Sequence, residues 1–144
     1  MAFRGQYEYS LDSKNRLNLP PKWRAELADG VVLVKGVDNC IELLTADAFD
    51  ARVEKALEGK NPLSKEYREI SRYFVHWAFD TELDGSGRIT IRPELLKHAG
   101  INKNVVIGGS IGWAELWEPD AWAKKHVELG ETIGALVEGL GHPS

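Results

Sequence analysis

Short runs in which apolar and polar residues alternate recur along the chain, and they predict strands over Tyr7 to Leu11, Arg16 to Leu19, Phe79 to Leu83 and Arg88 to Ile91. Denser apolar runs predict buried strands over Val31 to Lys35, Cys40 to Leu44, Val105 to Gly108 and Trp113 to Trp117. Pro21 and Pro93 each stand where a proline opens a short helix, reaching about Leu27 and Ala99. Period-3.6 spacing appears three times. Thr45 reads as the N-cap of a helix with Phe49, Val53 and Leu57 on one face. A second helix begins after Ser64, with Tyr67, Ile70, Phe74 and Trp77 as a core-facing stripe. The third begins at Pro119 and stacks Trp122, His126 and Leu129. Beyond Leu129, glycines at 130, 134, 139 and 141 accompany two glutamates and no Lys or Arg. That tail reads as a weak helix or a mobile end, with packing on a neighbouring subunit as a third reading.

The order of elements occurs twice. A shift of 72 lays Leu11-Asp12-Ser13-Lys14-Asn15-Arg16-Leu17-Asn18-Leu19 over Leu83-Asp84-Gly85-Ser86-Gly87-Arg88-Ile89-Thr90-Ile91 and Pro21 over Pro93. A shift of 73 then pairs Val32 with Val105, Gly36 with Gly109, and Glu42-Leu43 with Glu115-Leu116. The expected organisation is a first half at 1–58, a linker and helix at 59–77, a second half at 78–129 and a tail at 130–144, in a β-rich mixed α+β fold.

The 144 residues carry 18 Lys and Arg against 22 Asp and Glu, a formal net charge of -4, which gives no composition-level sign of nucleic acid. Position along the chain alters that. Residues 1 to 24 hold five basic residues against Glu8 and Asp12, whereas residues 79 to 98 hold three basic against four acidic. The first hairpin is therefore the expected anchor on phosphates. The single cysteine, Cys40, excludes an internal disulfide framework and reads as a small buried hydrophobe. The N-terminus has no apolar stretch suited to a signal peptide, and the uncharged run Val105 to Ala114 is about half the length of a membrane span. A cytoplasmic protein is expected.

Three constellations of residues carry candidate chemistry. Gly108-Gly109-Ser110-Ile111-Gly112 fits G-x-S-x-G, but a nucleophile elbow needs a helix directly after the serine, and here a strand is predicted. Asp80, Glu82 and Asp84 alternate along one strand with no histidine beside them, and His76, His98, His126 and His142 lack metal-ligand spacing, so neither metal nor cofactor is expected. The third constellation is Asp-x-x-x-Arg, present as Asp12…Arg16 and Asp84…Arg88. Each Asp ends a strand and can hold the turn through backbone N–H groups while steering the guanidinium. An arginine so braced at a hairpin tip suits bidentate recognition of guanine O6 and N7, on a two-stranded ribbon that fits the major groove. A salt bridge closing a turn would explain one such pair; its recurrence with varied turn residues favours the functional reading.

Phe3-Arg4-Gly5-Gln6-Tyr7, the Leu11 to Leu17 block with Trp23-Arg24, the Leu83 to Ile89 block and Glu115-Leu116-Trp117-Glu118-Pro119-Asp120-Ala121-Trp122 together resemble the MraZ family of bacterial transcriptional regulators over about residues 1 to 125. The resemblance implies two tandem AbrB-like swapped-hairpin β-barrel halves that form an intrachain pseudo-dimer with flanking helices. It also implies ring oligomers that bind direct repeats in double-stranded DNA upstream of the division and cell-wall gene cluster, usually as a repressor, in the cytoplasm at the nucleoid. The DNA-contacting role would fall on Asp12, Lys14, Arg16, Asp84 and Arg88. Two positions depart from the family pattern: Asn15 stands where glycine is common, and Arg92 where proline is frequent. The rival readings are an AbrB-type antitoxin, which would need an apolar toxin-wrapping tail, and a ring-forming scaffold with no DNA role.

Overall fold

The computed structural model describes residues 3–141; His142 lies outside them. The first copy supplies β1 (Gln6–Ser10), β2 (Arg16–Asn18), a 3-10 turn (Pro21–Trp23), β3 (Val31–Lys35), β4 (Ile41–Leu44) and α1 (Ala46–Leu57). After α2 (Lys65–Val75) come β5 (Ala78–Thr81), β6 (Arg88–Thr90), α3 (Pro93–Ala99), β7 (Asn104–Gly109), β8 (Ala114–Trp117) and α4 (Pro119–Gly141).

The strands form a six-stranded antiparallel sheet ordered β1-β7-β8-β4-β3-β5 and a separate two-stranded ribbon, β2-β6. Exchanging the two copies leaves both orders unchanged, so the chain has an internal approximate two-fold. The copies trade strands: β1 pairs with β7 of the second copy (Tyr7 opposite Ile107), and β5 pairs with β3 of the first (Phe79 opposite Leu33). Neither half closes its own sheet.

These pairings correct one detail of the repeat. Tyr7 and Phe79 are 72 apart, yet their partners Leu33 and Ile107 are 74 apart, so Val32 corresponds to Val106 rather than Val105. The faces agree. Val31, Leu33, Val105 and Ile107 point into the main core, while Val32 and Val106 lie on the opposite face. A one-residue slip would turn each side chain to the wrong side of the sheet. The offset returns to 73 at β4 and β8 because the second hairpin loop is shorter. Gly36 N–H reaches Cys40 C=O in the first copy, whereas Ser110 N–H reaches Trp113 C=O in the second.

The main core lies between the sheet and the ribbon. Leu17 and Ile89 from the ribbon, Leu19, Ile91, Trp23, Leu27 and Leu95 meet Leu33, Ile41, Leu43, Ile107 and Leu116. On the other face, Phe49 and Val53 of α1 pack on Val32, Val34 and Leu44, and Trp122 of α4 packs near Trp117, Val106 and Cys40. Thr45 Oγ1 accepts from Ala48 N–H at 3.1 Å, the expected cap, and Ser64 Oγ accepts from Tyr67 N–H at 3.2 Å, capping the helix expected after it.

Three segments differ from expectation. The first short helix is only the 3-10 turn, because Arg24 folds back and donates Nε and Nη2 to the Leu19 carbonyl (3.1 and 3.0 Å). Its counterpart α3 completes a helix ended by Gly100 in the left-handed conformation, which accommodates the turn of the chain. The α2 stripe is half-buried rather than core, since α2 lies against α1 and β3 with no fully buried residue. In the tail no boundary falls at Leu129: α4 runs unbroken from Pro119 to Gly141, and large apolar side chains stand exposed along it.

Gly108 to Gly112 form the β7–β8 hairpin, with a strand after Ser110 as expected. Gly109 has a different task from any in an elbow. A Cβ there would overlap the Phe3 carbonyl, because residues 3–5 cross directly over it, with Phe3 N–H donating to Ser110 O (3.2 Å) and Gly109 N–H to Gly5 O (2.9 Å).

Candidate nucleic-acid interface

The two Asp-x-x-x-Arg turns are the same structure built twice. Asp12 Oδ1 accepts from the backbone N–H of Lys14 and of Arg16, both at 2.9 Å, and Oδ2 accepts from Arg16 Nε at 2.6 Å. Asp84 Oδ1 accepts from Ser86 N–H (2.9 Å) and Arg88 N–H (3.0 Å), and Oδ2 from Arg88 Nε at 2.8 Å. Each turn is closed by backbone bonds between the Asp and Arg positions. The fourth residue of each turn has positive φ: Gly87 at 77° and Asn15 at 56°. Asparagine tolerates that region better than most residues with a side chain, which explains how Asn15 occupies a glycine position.

Electrostatics follows from these bonds. Donation by Arg16 N–H, then by its side chain and by Lys14 N–H, lowers the Asp12 carboxyl to about 2. Donation by Arg88 N–H lowers Asp84 in the same direction, with Ser86 N–H and the Arg88 side chain adding to it. Both carboxylates are thus ionised at neutral pH. Each anchors its arginine through Nε, which turns the Nη1 and Nη2 edge of Arg16 outward for a two-pronged contact, while Arg88 Nη1 is shared with Asp12 Oδ2.

The fold then brings the two turns onto one surface. In the ribbon Arg16 lies opposite Thr90 and Asn18 opposite Arg88, with Leu17 and Ile89 paired between them. Leu17 and Ile89 point into the core, so Arg16, Asn18, Arg88 and Thr90 share the outer face. The arginines are diagonal neighbours, roughly 7–8 Å apart at the backbone. Arg88 Nη1 also comes within 3.6 Å of Asp12 Oδ2, linking the copies. Cross-copy backbone bonds lock the tips: Leu19 N–H to Gly87 O (3.2 Å) and Ile91 N–H to Asn15 O (2.9 Å). The five expected residues are therefore one contiguous site, with Lys14 exposed at the first tip.

Sequence reasoning missed two contributions. Asn18 and Thr90 flank the arginines, visible only once the ribbon register is known. Arg24 of the first copy stands against Gly87 of the second, where any Cβ would collide with its guanidinium. The excess positive charge of the first hairpin therefore sits partly on the second turn. The basic-versus-acidic contrast between the two hairpins in sequence does not describe two separate surfaces. Arg92 lies with its guanidinium 4.2 Å from the centre of the Phe79 ring.

Among the described residues no group of three or more His, Cys, Asp and Glu could hold a metal ion. Cys40 is buried, and burial, with Glu115, Glu42 and Asp38 nearby, pushes its thiol far above its ordinary value.

Comparison with known proteins agrees with this doubled arrangement. A family model described as "MraZ protein, putative antitoxin-like" matches residues 2–69 and 74–132. The chain belongs to the MraZ family. A relative from Kocuria rhizophila named "Transcriptional regulator MraZ" is 38% identical over 142 residues, covering 96% of this chain and 99% of that protein. Relatives of the same name from Caldanaerobacter subterraneus subsp. tengcongensis (37% over 136 residues, 94% of each chain) and Alkaliphilus metalliredigens (37% over 143 residues, 96% and 99%) are similar to it along nearly the same length. The two matched segments of the family model each contain one Asp-x-x-x-Arg turn. Among the described residues no helix is long and apolar enough to cross a membrane.

Proposed function

We propose that this MraZ-family chain is a sequence-specific DNA-binding transcriptional regulator, a repressor, that reads direct repeats upstream of its own gene in the division and cell-wall cluster. The observation that carries the reading is the β2–β6 ribbon. It presents two carboxylate-anchored arginines on one exposed face, backed by a buried hydrophobic layer. A two-stranded ribbon enters a major groove, and a spacing of roughly 7–8 Å between the arginines spans about two base steps. Arg16 and Arg88 contact guanine edges, Lys14 neutralises phosphate, and Asp12 and Asp84 hold the arginines in place. Rigid anchoring reduces the side-chain entropy lost on binding.

Residues 1–58 and 78–129 are then AbrB-like swapped-hairpin halves joined by 59–77, a reading supported by the strand exchange in the sheet. A chain of net charge -4 holds DNA weakly on its own. Several copies in a ring engage consecutive repeats, and effective concentration supplies the affinity. The relatives' name, transcriptional regulator, agrees with this function. The test is titration of the DNA upstream of the coding sequence at two salt concentrations. Salt-sensitive, sequence-preferring binding by the wild type that Arg16→Ala abolishes supports the reading; equal affinity of Arg16→Ala and wild type refutes it.

A further inference from the structure

Residues 126–141 of α4 are all exposed, about 24 Å of helix; His126 lies against Trp122 and Glu128 faces the Asp38–Asn39 loop at its start. Leu129, Ile133, Leu136 and Leu140 recur along it at spacings of four, three and four, a continuous apolar seam. Glu128, Glu131 and Glu138 lie off that seam, and the segment has no Lys or Arg. Glycines at 130, 134 and 139 each cost a helix about 1 kcal/mol relative to alanine. A free helical extension of this composition is marginal in water, and tertiary packing of its apolar face is what stabilises such a helix.

A matching surface stands elsewhere on the molecule. Ile70, Tyr73, Phe74 and Trp77 line one side of α2 at helical spacing and, with Val37, form an open apolar groove of about 700 Å³. Glu69, Arg72 and His76 line its edge, with Arg72 Nη1 3.5 Å from Glu69 Oε1, and Lys35, whose Nζ sits 4.5 Å from the Trp77 ring centre, supplies the excess positive charge. Tyr73 Oη donates to the Gly36 carbonyl at 2.9 Å, fixing the groove wall to the β3–β4 loop.

We infer that the C-terminal half of α4 docks in the α2 groove of a second copy of this chain. The apolar seam fills the groove, and the glutamates meet Lys35 and Arg72. Charge selects this occupant. Pairing α4 with another α4 sets acid against acid, and an anionic lipid surface repels the same glutamates. Each chain offers one tail and one groove on separate helices, so a contact between copies is head-to-tail and propagates until it closes. The inference rests on the ring of the proposed function and names the surfaces that build it.

The experiment measures subunit number by light scattering for the full chain and for two variants changed only at exposed positions. One is the tail variant Ile133→Glu/Leu136→Glu, the other the groove variant Val37→Glu/Arg72→Glu. The expected result is a multi-subunit wild type, each variant reduced to monomer, and a one-to-one mixture of the variants recovering a dimer. That dimer forms because an intact tail then meets an intact groove. A multi-subunit wild type with both variants unchanged overturns the docking while leaving the ring intact. A monomeric tail variant beside an unchanged groove variant shows α4 pairing with α4 and also overturns it. A monomeric wild type at tens of micromolar removes the ring and the docking together.

Discussion

Replacing Gly109 by alanine tests whether the strand exchange depends on the N-terminal strap. The added methyl overlaps the Phe3 carbonyl, so either β7 or residues 3–5 must move. β7 is held between β1 and β8 and its side chains fill the core, so the strap is the part that yields. Lifting it exposes Phe3, which is fully buried against Trp23 with ring centres 5.1 Å apart. Losing that burial costs about 1.5–3 kcal/mol. The bonds from Phe3 N–H to Ser110 O and from Gly109 N–H to Gly5 O are lost as well, at about 0.5–1.5 kcal/mol each. The sum is about 2.5–6 kcal/mol, a fall in Tm of roughly 5–20 °C for a chain of this size. Urea unfolding of Gly109→Ala, Phe3→Ala and the double variant measures it. Because the alanine has already displaced Phe3, the double variant must lose clearly less than the two singles added together. A Gly109→Ala protein within about 1 kcal/mol of wild type, or strict additivity, refutes the reasoning.

Four further outcomes are expected. Arg88→Ala weakens specific DNA binding by roughly tenfold or more, the cost of one bidentate base contact, and leaves Tm unchanged within error, as a thermal melt alongside a binding titration will show. The Asp12 carboxyl is lowered to about 2 in the folded chain. Its stabilising contribution is therefore complete above the ordinary carboxylate range near 4 and disappears as pH falls toward 2. Asp12→Asn accordingly flattens the acid limb of stability against pH in that window, seen in urea midpoints measured from pH 5 to pH 2. Gly87→Ala strains a positive-φ position and displaces Arg24 from the Leu19 carbonyl, which lowers stability by about 2–4 kcal/mol in urea unfolding. Cys40 stays unmodified by a thiol reagent at pH 8 in the folded chain and reacts only as the protein unfolds, as mass spectrometry across a denaturant series will report.

The parts of this fold that local pattern controls were legible in the chain. Alternation placed Leu17 and Ile89 inside and Arg16 and Arg88 outside, and the capping residues Thr45 and Ser64 marked α1 and α2 where they begin. The Asp-x-x-x-Arg spacing disclosed its own turn, because every bond in that turn is made within five residues. What the chain did not disclose is non-local. Nothing between Gln6 and Ser10 states that its partner is β7, nearly a hundred residues on, and identity-based alignment put Val32 one residue out because the shorter β7–β8 loop hides the true register. The meeting of Arg88 with Asp12 and of Arg24 with Gly87 depends on that exchange. The tail was ambiguous for a different reason: its glycines weaken a helix while its four-three-four apolar spacing continues one, and α4 runs through both.

The central claim is that Arg16 and Arg88 read guanine edges from a ribbon held rigid by Asp12 and Asp84. Fluorescence anisotropy tests it most directly, with the upstream DNA in native form and with 7-deazaguanine in place of guanine, which removes the N7 acceptor. The prediction is that wild type loses at least tenfold in affinity on the modified DNA, a single lost base contact, while the Arg16→Ala/Arg88→Ala protein binds both DNAs equally and weakly. Native-DNA affinity in the double variant equal to wild type would contradict the account.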